Sequence, residues 1–133
     1  MADVLLDTDV LSLFLRRDEA VVRRADEVFI RQGALGISVI TVFEVLRGLN
    51  KAGLAERAEQ FEEFVSSANV YDLDEEAARL AGEIAADLDR AGQTLPAPDV
   101  LIAAIARRNE LTLVSRNRAH FERIPDLRLE TWE

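Results

Sequence analysis

Three carboxylates lie beside apolar segments in a way that could create a site for chemistry. Asp7 directly follows the apolar run 4–6, Glu44 lies within the segment TVFEVLRGL, and Asp99 is next to Pro98. Converging carboxylates repel one another unless a cation joins them. In a chain with no cysteine and one histidine, hard oxygen ligands favour Mg²⁺ or Mn²⁺ over zinc. The residue types therefore predict a divalent-metal site.

Each carboxylate also has a purely structural explanation. Asp is a favoured N-cap, and a helix is expected to begin near Asp9, just after Asp7. Thr41 and Glu44 match the capping-box pattern S/T-x-x-E. Asp99 in the first turn of a helix would be stabilised by the helix dipole. Taken one position at a time, both interpretations remain open.

The chain alternates between predicted strands and predicted helices. Short apolar stretches predict strands at residues 4–6, 34–38, 68–73 and 111–115, with a possible fifth at 127–132. Helical spacing of apolar residues predicts helices at 10–15, 20–32, 41–49, 54–65, 75–91 and 98–108. This alternation implies crossover connections. We therefore expect a three-layer α/β/α fold with a central, mainly parallel sheet of four to five strands.

The predicted elements bring the three carboxylates to one place. We assign Asp7, Glu44 and Asp99 to strand-to-helix junctions, and in a parallel sheet these junctions lie on one edge. That edge is where open α/β sheets bind ligands. Capping explains each carboxylate separately, but it does not explain their common position.

Composition limits the classes of protein to consider. With 133 residues, 49% of them hydrophobic, the chain is expected to form a single domain over 1–133. The lack of cysteine excludes a thiolate nucleophile. No apolar stretch approaches the ~18 residues of a membrane span, so we expect a cytoplasmic protein without a membrane partner. The net charge of −9 argues against nucleic acid as a partner, but residues 107–128 hold six arginines against three acidic residues.

Four segments in order resemble the successive motifs of PIN-domain ribonucleases, particularly the VapC-like toxins of toxin–antitoxin pairs: LLDTDVL, ISVITVFEVLRG, LPAPDVLIAAIARR and LTLVSRNRAHFERIPDLRLETW. The match covers nearly the whole chain. It implies the PIN-like α/β/α fold, an RNA substrate, Mg²⁺ or Mn²⁺ as cofactor, a cognate antitoxin and a homodimer. Asp7, Glu44 and Asp99 fall on the acidic positions of the family.

The chain departs from the family at the fourth acidic position. Relatives have a carboxylate at the place of Asn117 or of His120. Asn117 is the expected fourth site position, keeping an oxygen but losing a charge. His120 could be a ligand, a proton donor or a plain surface residue, and the default expectation is an ordinary surface residue further out. Ser115 matches a hydroxyl of the family that orients water or an Asp. Arg116 and Arg118 are expected to contact the phosphate backbone.

The resulting hypothesis is metal-dependent RNA cleavage, in which Asp7 and Asp99 hold the metal and Glu44 orients or deprotonates water. One alternative is a haloacid-dehalogenase-like phosphatase, since LLDTDV resembles its nucleophile motif with Asp9 as acid/base. That family needs a downstream lysine, and the only lysine, Lys51, is predicted to lie in a loop. A second alternative is an inert PIN-like module that binds its antitoxin without cutting.

Overall fold

The structure is a computed structural model that describes residues 2–133. Five strands and seven helices follow one another within that range. In chain order they are β1 (Val4–Leu6), α1 (Thr8–Leu15), α2 (Glu19–Gln32), β2 (Gly36–Ser38), α3 (Val39–Lys51), α4 (Ala55–Ser67), β3 (Asn69–Tyr71), α5 (Glu75–Arg90), α6 (Ala97–Arg108), β4 (Thr112–Val114), α7 (Arg118–Phe121) and β5 (Arg128–Glu130). Every strand predicted from the sequence is therefore present.

All strand pairs are parallel. β4 pairs with β1 and with β5, and β2 pairs with β3. β1 lies beside β2, and their backbones approach closely at Gly36, where a Cβ would be 2.5 Å from the carbonyl oxygen of Val4. The spatial order is thus β3-β2-β1-β4-β5. The expected parallel sheet is confirmed, although its strands form ladders of three and two rather than one continuous ladder.

The sheet separates two apolar cores. Successive residues of a strand point to opposite faces, so Leu5 packs with α5 and α6, whereas Val4 and Leu6 pack with α1, α2 and α4. Leu113 and Val114 of β4 divide in the same way. The three-layer α/β/α architecture follows from this two-sided burial. No helix within residues 2–133 is long and apolar enough to cross a bilayer.

The beginning of α3 differs from the sequence-based expectation. The helix begins at Val39, and the Ser38 hydroxyl accepts a hydrogen bond from the Thr41 N–H at 3.1 Å. The predicted capping box of Thr41 and Glu44 is therefore wrong, because Ser38 already caps the helix. The Glu44 carboxylate is free for another role.

The beginning of α6 also corrects an expectation. The sequence predicts Asp99 at a strand-to-helix junction, but α6 follows helix α5 rather than a strand. Pro96 is the N-cap residue and makes no side-chain capping bond. Asp99 thus lies in the first turn of a helix that leads directly into β4. Its position depends on the packing of α6 and not on the end of a preceding strand.

Candidate functional site

Asp7 lies at the end of β1, where its N–H donates to the Val114 carbonyl at 3.0 Å. Its Oδ1 accepts from the Val10 N–H at 2.8 Å, so the predicted N-cap is confirmed. The residue is only 5% exposed. Burial, together with the charges of Asp9 and Asp99, raises the pKa of Asp7 to about 6, while hydrogen bonds from Ser115 and Val10 oppose the rise. Asp7 is therefore both a helix cap and a buried carboxylate that a cation would stabilise.

Glu44 reaches from α3 to the residue that follows Asp7. Its Oε1 accepts a hydrogen bond from the Thr8 hydroxyl at 2.6 Å. The Thr8 hydroxyl also lies 3.0 Å from that of Thr41, which is buried beside the cap residue Ser38. This chain of hydroxyls joins α3 to the beginning of α1. Thr8 was not among the residues expected at the site, although its place between Asp7 and Asp9 in the first motif could have indicated it.

His120 lies against Asp99, so its expected place as an ordinary surface residue further out is wrong. Its Nδ1 is 3.0 Å from Asp99 Oδ2, and the side chain is about one-third exposed. The short helix α7, which the sequence analysis did not predict, carries the ring to this position. His120 is therefore the neighbour that orients the Asp99 carboxylate.

Asn117 contacts the same ring nitrogen of His120. The separation between Asn117 Nδ2 and His120 Nδ1 is 2.7 Å. One Nδ1 cannot donate to Asp99 and accept from an amide N–H at the same time. Turning the Asn117 amide so that its oxygen faces the ring satisfies both contacts, because Nδ1–H then donates to the amide oxygen and to the carboxylate. Asn117 thus acts as a partner of His120.

The other predicted site residues differ in their accessibility. Ser115 is fully buried, hydrogen-bonds Asp7 and accepts from the Asn117 N–H at 2.9 Å. It orients a carboxylate and does not face a substrate. Arg116 donates to the Trp132 carbonyl at 2.7 Å. Arg118 forms an ion pair with Glu122 at 2.8 Å, so both guanidinium groups already have partners.

The carboxylates fit a hard cation with an incomplete protein shell. Within residues 2–133, no three His, Cys, Asp or Glu side chains form a cluster able to hold a metal ion. Asp7 and Asp99 nevertheless interact electrostatically, and burial disfavours the charge on Asp7. Mg²⁺ is commonly held by one or two carboxylates while water fills the remaining positions. The donor set therefore suits Mg²⁺ or Mn²⁺ bound by two carboxylates.

The PIN domain family profile matches residues 4–127. The chain belongs to the PIN domain family. It is 35% identical over 133 residues to the tRNA(fMet)-specific endonuclease VapC of Shigella flexneri and 34% identical over 134 residues to Ribonuclease VapC2 of Haemophilus influenzae, with 99% of each chain covered in both cases. Among solved structures, the DNA-bound VapBC complex of Salmonella typhimurium has a TM-score of 0.89 at 32% identity, covering 100% of both chains. The predicted resemblance to PIN-domain ribonucleases of the VapC group is confirmed.

A second solved PIN-domain structure agrees with the first. The VapBC2 complex of Rickettsia felis, bound to a DNA fragment from its promoter, has a TM-score of 0.87 at 26% identity, covering 98% of both chains. The likeness extends over the whole PIN domain and not only over the sheet. It therefore includes the helices that carry Glu44, Asp99 and His120.

Proposed function

We propose that this PIN-domain protein is an endoribonuclease, the toxin of a toxin–antitoxin pair, which hydrolyses RNA phosphodiester bonds. The observation that carries the proposal is the buried Asp7 carboxylate at the carboxyl end of β1, within electrostatic range of Asp99, in a chain whose relatives are named endonuclease and ribonuclease. A buried carboxylate with a second, partly exposed carboxylate in electrostatic range is costly unless it serves a ligand. Such a pair suits phosphodiester hydrolysis assisted by a divalent metal.

Asp7 and Asp99 would hold the Mg²⁺ or Mn²⁺ ion, which when bound stabilises negative charge on the phosphate. The protein residues prepare the site for the substrate. Ser115 and the Val10 N–H hold the Asp7 carboxylate in one orientation. Glu44 receives a hydrogen bond on Oε1 from Thr8, which leaves Oε2 available to accept a proton from the attacking water.

The decisive experiment compares carboxylate variants on a labelled RNA. Asp7→Asn and Asp99→Asn should each reduce cleavage at least ~100-fold, since each removes a charge that holds the cation. Asp9→Asn is the matched control, because Asp9 is exposed on the same motif and should retain full nuclease activity. Asp7 and Asp99 variants that cut RNA at the wild-type rate would overturn the assignment.

The control variant also tests the two alternatives. A haloacid-dehalogenase-like phosphatase would use Asp9 as acid/base, so Asp9→Asn would abolish the release of phosphate from a small ester while RNA stayed intact. An inert binding module would cut nothing in any variant, with either metal. Cleavage of RNA by the wild-type protein that stops in EDTA separates the nuclease from both.

The proposal includes a cognate antitoxin as protein partner. The similar structures from Salmonella typhimurium and Rickettsia felis are described as VapBC complexes. We expect the antitoxin tail to place an arginine between Asp7 and Asp99, where a guanidinium would replace the cation. Co-expression of an adjacent upstream gene should then rescue growth. A complex that forms equally well with the Asp7→Ala, Asp99→Ala double variant would contradict insertion at this site.

A further inference from the structure

A groove of about 680 Å³ extends from the candidate site between α1, α3 and α4. Thr8 and Glu44 line one part of it, so the groove is continuous with the carboxylate site. Its remaining lining combines apolar side chains with exposed polar ones. The apolar residues are Leu15, Val45, Leu49 and Phe61, and the exposed polar residues include Arg16, Arg57 and Gln60.

Two exposed arginines give this groove a charge that suits phosphate. Within residues 2–133, neither Arg16 nor Arg57 takes part in any of the ion pairs. Arg16 makes only a long contact from Nε to the Ser12 carbonyl, at 3.4 Å. By contrast, Arg116 and Arg118 are paired elsewhere. A guanidinium group without a carboxylate partner can bind two oxygens of one phosphate at the same time.

Gly48 lines the same groove from the interior of α3, and local structure does not require a glycine there. Its φ is not positive, and a Cβ at this position would meet no atom within 4 Å. Glycine inside a helix costs about 1 kcal/mol relative to alanine. The space above Gly48 is the groove itself, so any larger side chain would project into it.

We propose that this groove binds the nucleotides adjacent to the scissile bond of a single-stranded RNA. Arg16 and Arg57 contact its phosphates, the apolar residues contact its bases, and Gly48 keeps the groove open. The inference rests on the proposed nuclease function and deepens it. RNA is favoured over an apolar antitoxin segment because neither arginine has a carboxylate partner and because Glu44, one of the three site carboxylates, lines one part of the groove.

The first test fills the groove without threatening the fold. Gly48→Leu should raise the KM for a 12-nucleotide single-stranded RNA about tenfold and weaken its binding in EDTA, measured by fluorescence anisotropy. The melting temperature should not fall, because leucine favours the helix more than glycine does. The matched control is Gly82→Leu on α5, where a Cβ also meets no atom within 4 Å. Equal RNA affinity in the Gly48→Leu and Gly82→Leu proteins would overturn the inference.

The second test counts phosphate contacts through the dependence of RNA binding on salt. Removing two contacts with the Arg16→Ala, Arg57→Ala double variant should reduce the slope of log affinity against log salt by about 1.4, at ~0.7 per phosphate on single strands. The control is Arg79→Ala, Arg90→Ala on α5, which removes the same charge elsewhere. An unchanged slope, or an equal change in the control, would overturn the inference.

The outcomes also separate this inference from the proposed function. If the wild-type protein cuts RNA but the groove variants bind it as tightly, only the groove assignment fails. If Gly48→Leu releases the antitoxin while RNA binding is unchanged, the groove belongs to the antitoxin and the inference fails. If the wild-type protein neither binds nor cuts RNA, both proposals fail.

Discussion

At the scale of single residues, Asp7 combines a helix-capping role with the burial of its carboxylate. Its Oδ1 satisfies the Val10 N–H at the beginning of α1, while the carboxylate as a whole remains buried beside Asp99. Capping requires only one acceptor oxygen. Ser115 also hydrogen-bonds the carboxylate, so capping is confirmed for Asp7 while its binding of a cation stays a prediction.

The raised pKa of Asp7 predicts how stability depends on pH in the absence of metal. Because the pKa is about 6 in the folded state and 3.8 in the reference state, the folded protein binds the proton more tightly. Stability from this group is therefore present below pH 3.8 and is lost as pH rises through 6. At pH 8 in EDTA, the Asp7→Asn variant should have a higher melting temperature than wild type. Its free energy of unfolding should be larger by at most about 3 kcal/mol. The difference should vanish near pH 4, and a difference independent of pH would contradict this explanation.

Glu44→Gln separates the chemistry of Glu44 from its structural contact. Glutamine can still accept the Thr8 hydrogen bond through its amide oxygen, but it cannot accept a proton from water. We expect kcat to fall about 100-fold or more and the urea midpoint to stay the same. Steady-state kinetics on RNA and urea unfolding measure both effects. Equal kcat in the variant and the wild type would remove Glu44 from the mechanism.

The fourth acidic position can be tested by adding charge. Asn117→Asp should place another carboxylate near Asp99 and shift the Mn²⁺ titration to lower concentration. His120 contacts Asp99 directly, so His120→Asp should act in the same direction. Isothermal titration with Mn²⁺ measures the affinity independently of activity. If neither variant binds Mn²⁺ more tightly than wild type, the fourth ligand position lies elsewhere.

At the scale of elements, helix beginnings position most of the site. α1 begins at Thr8, α3 at Val39 and α6 at Ala97, and each carries one of the three carboxylates within or next to its first two turns. The cap of α3 is critical because Ser38 is fully buried and also contacts the Thr41 hydroxyl, which leads to Thr8. The hydroxyl chain therefore couples the geometry of α3 to that of α1.

Ser38→Ala should destabilise the protein by about 1 kcal/mol, since the Thr41 N–H loses its partner. It should also reduce kcat, because the contact between α3 and Thr8 loosens. Ser66→Ala is the matched control, as the Ser66 hydroxyl is exposed and bonds only the Glu63 carbonyl. Urea unfolding and RNA kinetics distinguish the two variants. Identical unfolding midpoints for both would show that the cap contributes nothing.

At the scale of the whole molecule, we propose that the protein forms a homodimer, as the sequence resemblance leads us to expect. The chain mass is 14.8 kDa, so light scattering coupled to gel filtration should give twice that value for the purified protein. Large apolar side chains such as Ile30 and Phe43 are exposed in the single chain, and an oligomer would cover surface of this kind. A mass of one chain at micromolar concentration would contradict the expected dimer.

The fold was largely predictable because hydrophobic spacing is a local property. The apolar runs that became β1 and β4 and the helical stripe of α5 all formed where expected. The exact ends of helices were not predictable, because neighbouring polar residues compete for one cap. At α3, Ser38 took the position that Thr41 was expected to hold. The four-residue helix α7 was missed, since so short a segment shows no periodicity.

The candidate site divides in the same way between sequence and tertiary structure. The sequence alone determined the family, the parallel sheet and the position of Asp7 at the end of a strand, because the motifs and the end of a strand are local features. Only the tertiary structure decided that His120 contacts Asp99, that Thr8 bonds Glu44 and that a groove lies above Gly48. The contact between His120 and Asp99 joins residues 21 positions apart, and the contact between Thr8 and Glu44 joins residues 36 positions apart. The packing of helices on the sheet sets such distances, and no spacing within a single motif encodes them.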